Sequence, residues 1–521
     1  MYLSLLTEWI QKTTTQPTEQ GDIIMETYPS VFSFCLCRQG SDADFTADAV
    51  CNIGGYTFRA DCRTPLDCAQ YGGRELIIFG YATDVFTAQR NNIAETILAS
   101  TTDADGVFDY EKKLGGKYVI FYCENGDLYC LGDATCSVPI FYTVGTDDFI
   151  CCSNPQFIVR TLGLSPDPKL QKVRNSGPLN QAMPYDVTPY KEMKQLIPNC
   201  VFDVSAGKTR RLVNSRAKQK TVSPAEAAKI TAPMITNITK MYASDYEIYC
   251  PLTSGRDSRV VFAFLKSLGI PLNSYTIWKD SFKKDPQDWE IPVSLSKICD
   301  SNHEQIHKET VSEEKKAQMD LLLGENSYPQ EAFTLAVTVE RHYHGFATLE
   351  GDIIGQVGKC SLHRDIPLAL ATPAYFRCKL HNYSRESRQI LREWLSDIGA
   401  SGEKVNVFDL FSIENRLGVW ASHTHLIRNV MGMSFFNIFN SRSIIYVWTA
   451  VSRKERMKSA IHVELIRLIA PELLDVPFEQ DKSGLVQLAK SSWPVFYFAT
   501  FAKYLVQRTA FFKNKQKSSG E

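Results

Sequence analysis

Residues 247–269 read EIYCPLTSGRDSRVVFAFLKSLG, and the rest of the chain is best interpreted outward from this stretch. Apolar and β-branched residues run up to Thr253, as in a buried strand. A short polar turn follows at 254–258, and apolar residues then recur at helical spacing from Val260 to Leu268. The pattern predicts a strand, a tight loop and a helix in direct succession.

The loop has the composition of a phosphate-binding loop. A helix N-terminus offers free N–H groups and partial positive charge, which suit a phosphate or pyrophosphate. Gly255 permits a close backbone approach, and the hydroxyls of Ser254 and Ser258 can donate to phosphate oxygens. Asp257 can hold Mg²⁺ through oxygen, and Arg256 adds positive charge. The alternative is a junction whose polar residues only cap the helix, and the loop alone leaves both interpretations open.

Two common nucleotide motifs are absent, because the sequence contains no G-x-x-x-x-G-K-[ST] and no G-x-G-x-x-G after the strand. The loop instead resembles the S-G-G-x-D-S pyrophosphate loop of the ATP pyrophosphatase superfamily, with Arg256 in the place of the second glycine. Within that superfamily, the flanking segments are most similar to the asparagine synthetase-like amide synthetases.

Composition restricts the class of protein. The chain has 521 residues, 44% hydrophobic and 22% charged, with a net charge of −1. Its length predicts two to four domains, and its charge argues against a general nucleic-acid binder. The 15 cysteines form no C-x-x-C pair, so we expect reduced thiols. With no secretory signal and no apolar run long enough to span a membrane, we expect a cytoplasmic protein.

Short strand-like runs separated by turns extend from Ser30 to about Val213 and predict antiparallel sheets. The order of segments in 114–143 and 185–212 resembles the glutaminase-type, Ntn-hydrolase-like domain of asparagine synthetases. We therefore predict an extension over 1–29 and a glutaminase-like domain over 30–213.

The resemblance also implies a missing activity. Glutamine-hydrolysing members begin the mature chain with a cysteine, whose thiolate attacks the amide. Here Tyr2 follows Met1, and the first cysteine, Cys35, lies in a strand-like run. We expect no glutamine hydrolysis by this mechanism, and a domain that serves as a structural shell, an acceptor platform or a docking site for an ammonia donor.

A polar segment near 214–230 marks the start of a second domain, which we predict over 214–510. Strands and helices alternate in it, as in a doubly wound parallel sheet with ligands at the carboxyl ends of its strands. The resemblance implies that Leu252, Thr253 and Ile277 frame adenine.

A second glycine- and acid-containing stretch, ATLEGDIIGQVGKCSL, covers residues 347–362. It lies where the resembled family has a loop that meets the nucleotide and Mg²⁺. By this resemblance Glu350 and Gly351 contact the nucleotide, and Asp352 is the second metal ligand beside Asp257. The alternative is an ordinary Gly-Asp turn between a strand and a helix.

The segment from about 366 to 510 has helical periodicity. In the resembled family a late helix supplies a lysine to the transition state, but Val463 stands at the matching place here. Lys458, Arg456 or Arg442 could replace it, and we select Lys458. Three histidines are interpreted as packed or solvated rather than catalytic: His423, His425 and His462.

An aromatic run from Trp493 leads into a basic tail, 511–521. Two interpretations are open: an interfacial helix that touches anionic lipid, or a helix packed on the core with a frayed basic end. Because Lys503 and Arg508 interrupt the apolar run, we favour the packed helix.

The resemblance implies an ATP- and Mg²⁺-dependent, AMP-forming ligase. A small-molecule carboxylate is activated as an acyl-adenylate and transferred to ammonia or an amine, with Asp257, Arg256 and Lys458 as catalytic residues. Two alternatives remain: an ATP pyrophosphatase that adenylates another substrate, and a catalytically degenerate binding protein of the same fold. A homodimer or an ammonia-donating protein is the expected protein partner.

Overall fold

The computed structural model describes residues 30–40, 45, 47–146, 148–177, 183–212, 221–324, 328–400, 406–479 and 492–518. Parts of three predictions lie outside these residues. They are the N-terminal extension 1–29, the domain boundary at 213/214 and the last three residues of the basic tail.

The first part of the chain is built from antiparallel strands, as the alternation of short apolar runs and turns predicts. In chain order these strands are β1 (Phe34–Arg38), β2 (Ala49–Ile53), β3 (Tyr56–Ala60), β4 (Leu66–Tyr71), β5 (Arg74–Asp84), β6 (Leu114–Glu124), β7 (Asp127–Gly132), β8 (Phe141–Thr143), β9 (Ile150–Cys152), β10 (Met193–Gln195), β11 (Cys200–Asp203) and β12 (Lys208–Arg211). They form two six-stranded sheets, with orders β10-β8-β9-β1-β3-β2 and β12-β11-β7-β6-β5-β4.

The two sheets pack face to face through aromatic side chains. Phe34 and Phe58 of one sheet contact Phe79 and Phe121 of the other, with ring centroids 5.3 to 5.9 Å apart. Helices lie against the outer surfaces, and α1 and α2 share an apolar cluster with the second sheet. The helices of this part are α1 (Ile93–Ser100), α2 (Ala104–Glu111), α3 (Pro155–Leu162) and α4 (Pro168–Arg174).

Cys35 lies inside this sandwich. It is in β1, opposite Arg59 of β3 and Cys152 of β9, and it is fully buried. Its hydrogen bond with Cys37 and its burial raise the pKa of the Cys35 thiol. A buried, neutral thiol is not a nucleophile, so the strand position predicted for Cys35 also removes it from catalysis.

The second part of the chain contains a five-stranded parallel sheet. Its strands are β13 (Ile248–Pro251), β14 (Asn273–Ile277), β15 (Asn302–Ile306), β16 (Ala347–Glu350) and β17 (Ser434–Asn437), in the order β15-β14-β13-β16-β17. The order reverses between β13 and β16, and in such sheets ligands bind in the crevice at the carboxyl ends of the two strands. The predicted α/β class is confirmed, with antiparallel sheets followed by a doubly wound parallel sheet and a helical end.

Helices surround this sheet and make up the end of the chain. They are α5 (Pro224–Asp245), α6 (Arg256–Ser267), α7 (Gln287–Cys299), α8 (Glu313–Leu323), α9 (Gln330–His342), α10 (Pro373–Lys379), α11 (Glu386–Ala400), α12 (Val407–Leu410), α13 (Ser422–Val430), α14 (Arg442–Ala450), α15 (Arg453–Met457), α16 (Ala460–Ile469) and α17 (Trp493–Ser518). Two π-helical segments, Ile354–Gly358 and Phe411–Ala421, interrupt them.

Buried charges connect the two parts. Arg442 of α14 pairs with Glu111 of α2 at 2.6 Å, and both side chains are almost completely buried. Its guanidinium also donates to the carbonyls of Gly132 and Asp133. An arginine held by a carboxylate and by carbonyls of another sheet fixes the orientation of the two parts.

The helix α17 packs on α10 through one of its faces. Tyr497 stacks on Tyr375 with ring centroids 5.1 Å apart, and Trp493, Phe496 and Phe501 complete the contact. The predicted packing of this helix on the core is therefore confirmed for that face. In the part of the chain that the structure describes, no helix combines the length and the apolar character needed to cross a membrane.

Candidate active site

The loop between β13 and α6 lies at the reversal point of the parallel sheet. Its backbone is fixed from inside, because Thr253 N–H donates to the hydroxyl of Ser258 at 3.1 Å and Gly255 N–H donates to Thr253 Oγ1 at 3.2 Å. Gly255 is the N-cap of α6, and no side chain caps the helix. The first N–H groups of α6 are left for an anion.

Asp257 lies in the first turn of α6, and its carboxylate forms a hydrogen bond with a histidine. His462 Nε2 is 2.8 Å from Asp257 Oδ1, and the histidine is fully buried on α16. Burial acts to raise the pKa of Asp257, but the hydrogen bond and charge of His462, with Lys359 and Arg256, lower it overall. Because an ionised carboxylate only accepts hydrogen bonds, His462 is the donor.

The two predicted loops meet at Asp257. A Cβ atom on Gly355 would lie 2.6 Å from Asp257 Oδ2, and one on Gly351 would lie 2.9 Å from the Asp257 carbonyl oxygen. Only glycine permits this approach, which explains why glycines follow β16. The structure therefore brings Gly351 together with the first loop.

The acidic residues of the second loop are engaged elsewhere. Glu350 forms a bidentate pair with Arg428 at 3.1 and 3.2 Å. Asp352 accepts a hydrogen bond from the side-chain amide of Asn437. Burial, and then the charge of Glu350, raise the pKa of Asp352 to about 7. The side-chain hydrogen bond of Asp352 is thus made with Asn437, and its role as the second metal ligand beside Asp257 stays a prediction.

Asp257 fits a divalent cation better than Asp352 does. Its carboxylate is ionised and its side chain is 38% exposed. Among the described residues, no three His, Cys, Asp or Glu side chains are arranged to hold a metal. Mg²⁺ commonly takes one or two carboxylates and completes its shell with phosphate and water, so a single carboxylate beside an anion site suits it.

A carboxylate that the sequence did not predict accepts the hydrogen bonds that Ser254 of the loop donates. Both the N–H and the hydroxyl of Ser254 donate to Asp288 Oδ1, at 3.0 and 2.5 Å. Asp288 lies in the first turn of α7. The Ser254 hydroxyl, which was predicted to donate to a phosphate oxygen, thus donates to a carboxylate of the chain itself. The Ser258 hydroxyl is hydrogen-bonded to that of Thr253.

Two arginines of α6 meet a common aromatic ring. The guanidinium groups of Arg256 and Arg259 lie 4.4 and 4.1 Å from the ring centroid of Phe478. Arg259 is fully buried and donates to the Val476 carbonyl at 2.6 Å, so it is structural. Arg256 is partly exposed, and its buried Nε has no hydrogen-bond partner among the described residues. Of the two, Arg256 is the one able to turn toward a ligand.

The residues predicted to frame adenine lie at the ends of adjacent strands. Leu252 is fully buried, and its carbonyl accepts a 2.6 Å hydrogen bond from Thr276 Oγ1. Thr253 and Ile277 are partly exposed. Beside Ile277 the chain adds a feature that the sequence interpretation missed, in which Trp278 packs edge-on against Trp289 with centroids 5.0 Å apart.

The cations proposed to replace the missing lysine are each paired with a carboxylate other than Asp257. Lys458 is 61% exposed and pairs with Glu455 at 3.0 Å. Arg456 is buried in a bidentate pair with Asp409, and Arg442 belongs to the interface described above. The lysine whose charge acts on Asp257 is instead Lys359. It follows the π-helical segment and was already present in the second predicted stretch.

The histidines follow the predicted packing, with one addition. His425 is buried and His423 is partly exposed, and desolvation lowers the pKa of both, that of His423 to about 4. His462 is buried as well, yet it contacts the carboxylate at the centre of the site. Helical periodicity identifies a buried face but not the residue that this face meets.

No protein-family model matches the sequence, and no curated protein sequence is significantly similar to it. Several solved structures show partial likeness, and three of them are as follows. The allosteric regulatory enzyme of purine biosynthesis is 9% identical over 48% of this chain and 60% of that chain, with a TM-score of 0.23. B. subtilis glutamine PRPP amidotransferase, complexed with ADP and GMP, is 9% identical over 56% and 65%, with a TM-score of 0.22. NMN synthetase from Francisella tularensis is 12% identical over 40% and 94%, with a TM-score of 0.18.

The chain spans about 60% of the length of the first of these proteins and 65% of the second. All three are enzymes by description. Because the TM-scores and identities are low, the assignment that follows depends on this chain's own residues.

Proposed function

We propose that the chain is an ATP-dependent, AMP-forming ligase of the asparagine synthetase type. It would join a small-molecule carboxylate to ammonia or an amine. The observation that carries this proposal is the meeting of the two loops. An uncapped helix N-terminus, the ionised Asp257 and the glycines at 351 and 355 converge at the reversal point of a parallel sheet.

In this reaction ATP would supply the adenylyl group that activates the carboxylate, and Mg²⁺ on Asp257 would offset phosphate charge. The N–H groups at the start of α6, with Arg256, would hold the leaving pyrophosphate. His462 keeps Asp257 ionised and oriented, and Lys359 adds positive charge beside it. Fixed donors of this kind are useful because they are in place before charge develops.

The remaining predicted roles stay part of the proposal. The backbones of Leu252, Thr253 and Ile277 would border adenine at the strand ends. Glu350 would contact the nucleotide, and Asp352 the metal, only if each side chain left its present partner. Those partners are Arg428 and Asn437. Lys458 stays a prediction without a contact that supports it.

Ammonia or a free amine is the proposed nitrogen source. Cys35 is buried inside β1, which supports the absence of a glutaminase based on that thiol. All fifteen cysteines are free. A reducing compartment such as the cytoplasm is the proposed location.

The test is ATP–pyrophosphate exchange on the purified chain with Mg²⁺, across a panel of amino acids and uronic acids. Exchange that depends on one acid, and that falls at least a hundredfold in Asp257→Asn, is the expected result. Equal exchange in Asp257→Asn would separate the activity from this site. No exchange with any acid would overturn the ligase proposal.

A catalytically degenerate nucleotide-binding protein is the second candidate, and one observation favours it. Asp288 occupies both donors of Ser254, where a ligase needs room for pyrophosphate. Calorimetry separates the candidates, because Mg-ATP binding without exchange supports the degenerate protein. Loss of both binding and exchange contradicts both.

A further inference from the structure

The helix α17 is apolar on two opposite faces, although only one of them is packed. At 100° per residue, its packed aromatic residues and its exposed apolar residues project in different directions. Its inner face carries Tyr497 and Tyr504, which contact α10 and the following loop. A helix that is apolar all round is normally buried all round, so the outer face requires a partner of its own.

The outer face carries a continuous apolar stripe. Five large side chains on it are exposed by 41 to 70%. They are Val495, Phe498, Leu505, Val506 and Phe512. On a helical wheel they fall within about 120°, and along the axis they extend over about 25 Å. Scattered exposed apolar residues need no explanation, but a stripe of this length marks an interaction surface.

The charges around the stripe have one sign. Residues 493–518 contain five basic residues and no acidic one. The two exposed cations Lys503 and Arg508 flank the stripe, one at each edge of the wheel. An apolar face bordered by cations fits the boundary between acyl chains and anionic headgroups.

A second copy of the chain fits this face less well. Two copies that met through the stripe would bring Lys503 and Arg508 of one near the same cations of the other. Like charges across an interface weaken binding, whereas anionic lipid neutralises them.

We propose that the outer face of α17 binds the surface of an anionic phospholipid membrane. The helix lies parallel to the surface with its stripe among the headgroups and upper acyl chains, while its inner face stays on the protein. This binding is independent of the ligase proposal, and its test uses no catalytic readout.

The test is co-sedimentation of the full chain with vesicles of phosphatidylcholine alone, or of phosphatidylcholine and phosphatidylserine in a 7:3 ratio. We expect binding to the anionic vesicles and at least tenfold weaker binding to the neutral ones. Raising the salt from 0.1 to 0.5 M should weaken anionic binding, because screening shortens the reach of the charges.

Two double variants separate the apolar from the electrostatic contribution to vesicle binding. Phe498→Gln with Val506→Gln removes apolar contact, and Lys503→Glu with Arg508→Glu reverses the flanking charge. Each should lower binding at least tenfold, and circular dichroism checks the fold. The matched controls are Phe86→Gln, at a side chain that is 57% exposed outside α17, and Lys229→Glu with Lys240→Glu on α5.

Three results would overturn the proposal. The wild-type chain could fail to bind anionic vesicles, or the controls could reduce binding as much as the α17 variants do. The third is a concentration-dependent dimer, measured by light scattering without vesicles, that Phe498→Gln with Val506→Gln dissociates. That result would assign the stripe to a second copy of the chain.

Discussion

Replacing Asp288 with asparagine should tighten the binding of pyrophosphate. Asp288 Oδ1 accepts both hydrogens that Ser254 offers. A phosphate group at the same donors would lie about 4 Å from this carboxylate, where two unit charges repel by about 4 kcal/mol near a protein surface. Asparagine keeps the size of the side chain and a carbonyl acceptor, but it carries no charge.

In the wild-type chain, the free-energy penalty that Asp288 places on pyrophosphate binding is the smaller of two costs. If Asp288 stays, the ligand meets the full repulsion. If Asp288 turns away, the chain loses hydrogen bonds to a charged group, worth about 1.5–3 kcal/mol. The second route is cheaper, so Asp288→Asn should lower the dissociation constant for pyrophosphate about ten- to hundredfold.

Isothermal titration calorimetry with pyrophosphate, with and without Mg²⁺, measures this change. Glu290→Gln is the matched control, since Glu290 is exposed in the first turn of the same helix. Unchanged affinity in Asp288→Asn would show that pyrophosphate does not use the Ser254 donors. Weaker binding that appears only with Mg²⁺ would make Asp288 a metal ligand and refute its blocking role.

Two further changes test the packing and the electrostatics. Gly355→Ala places a methyl group 2.6 Å from Asp257 Oδ2. It should cost about 1–3 kcal/mol in urea unfolding and abolish exchange, whereas Gly399→Ala, with no atom within 4 Å of the added Cβ, should do neither. Burial lowers the pKa of Lys117 to about 7 from its ordinary value of 10.5. Between pH 7 and 10.5 the unfolded chain therefore binds more protons at this lysine than the folded chain does. The free energy of unfolding of the wild-type chain should accordingly rise as the pH increases from 7 toward 10. Urea unfolding of Lys117→Met should show a flatter rise. If stability rises equally steeply with pH in Lys117→Met, the rise comes from other titratable groups.

Local pattern was sufficient for the elements of the site. The strand before Leu252 and the helix after Gly255 lie where hydrophobic spacing places them, because both depend on residues within one turn or one strand. The alternation of strands and helices likewise gives the parallel sheet. Its reversal point then follows from the order of the strands.

Contacts between distant segments could not be predicted in the same way. Asp288 reaches Ser254 across 34 residues, and His462 reaches Asp257 across 205. Both residue types are common on helices, and nothing in their own neighbourhood marks them. Lys359 is an exception, because it stands in the second loop stretch, and its position beside that loop's glycines marks it as a candidate cation.

The parallel part of the chain needs the antiparallel part to satisfy its buried charge. Arg442 finds its carboxylate on Glu111 and two carbonyl acceptors on the neighbouring sheet. In return, Lys117 donates to Asn429 at 2.7 Å. A buried ion pair that loses one partner costs about 3–5 kcal/mol, a large share of the stability of an ordinary domain.

We therefore expect residues 214–521, expressed alone, to be insoluble or to lack fixed tertiary structure. In the full chain, Glu111→Gln should destabilise by about 3–5 kcal/mol, and Glu111→Gln with Arg442→Met should recover part of that loss, because the orphaned charge is gone. Near-ultraviolet circular dichroism and urea unfolding measure both. A fragment with the tertiary signal and urea midpoint of the full chain would contradict this reasoning. The antiparallel part would then be an acceptor platform or a docking site rather than a structural shell.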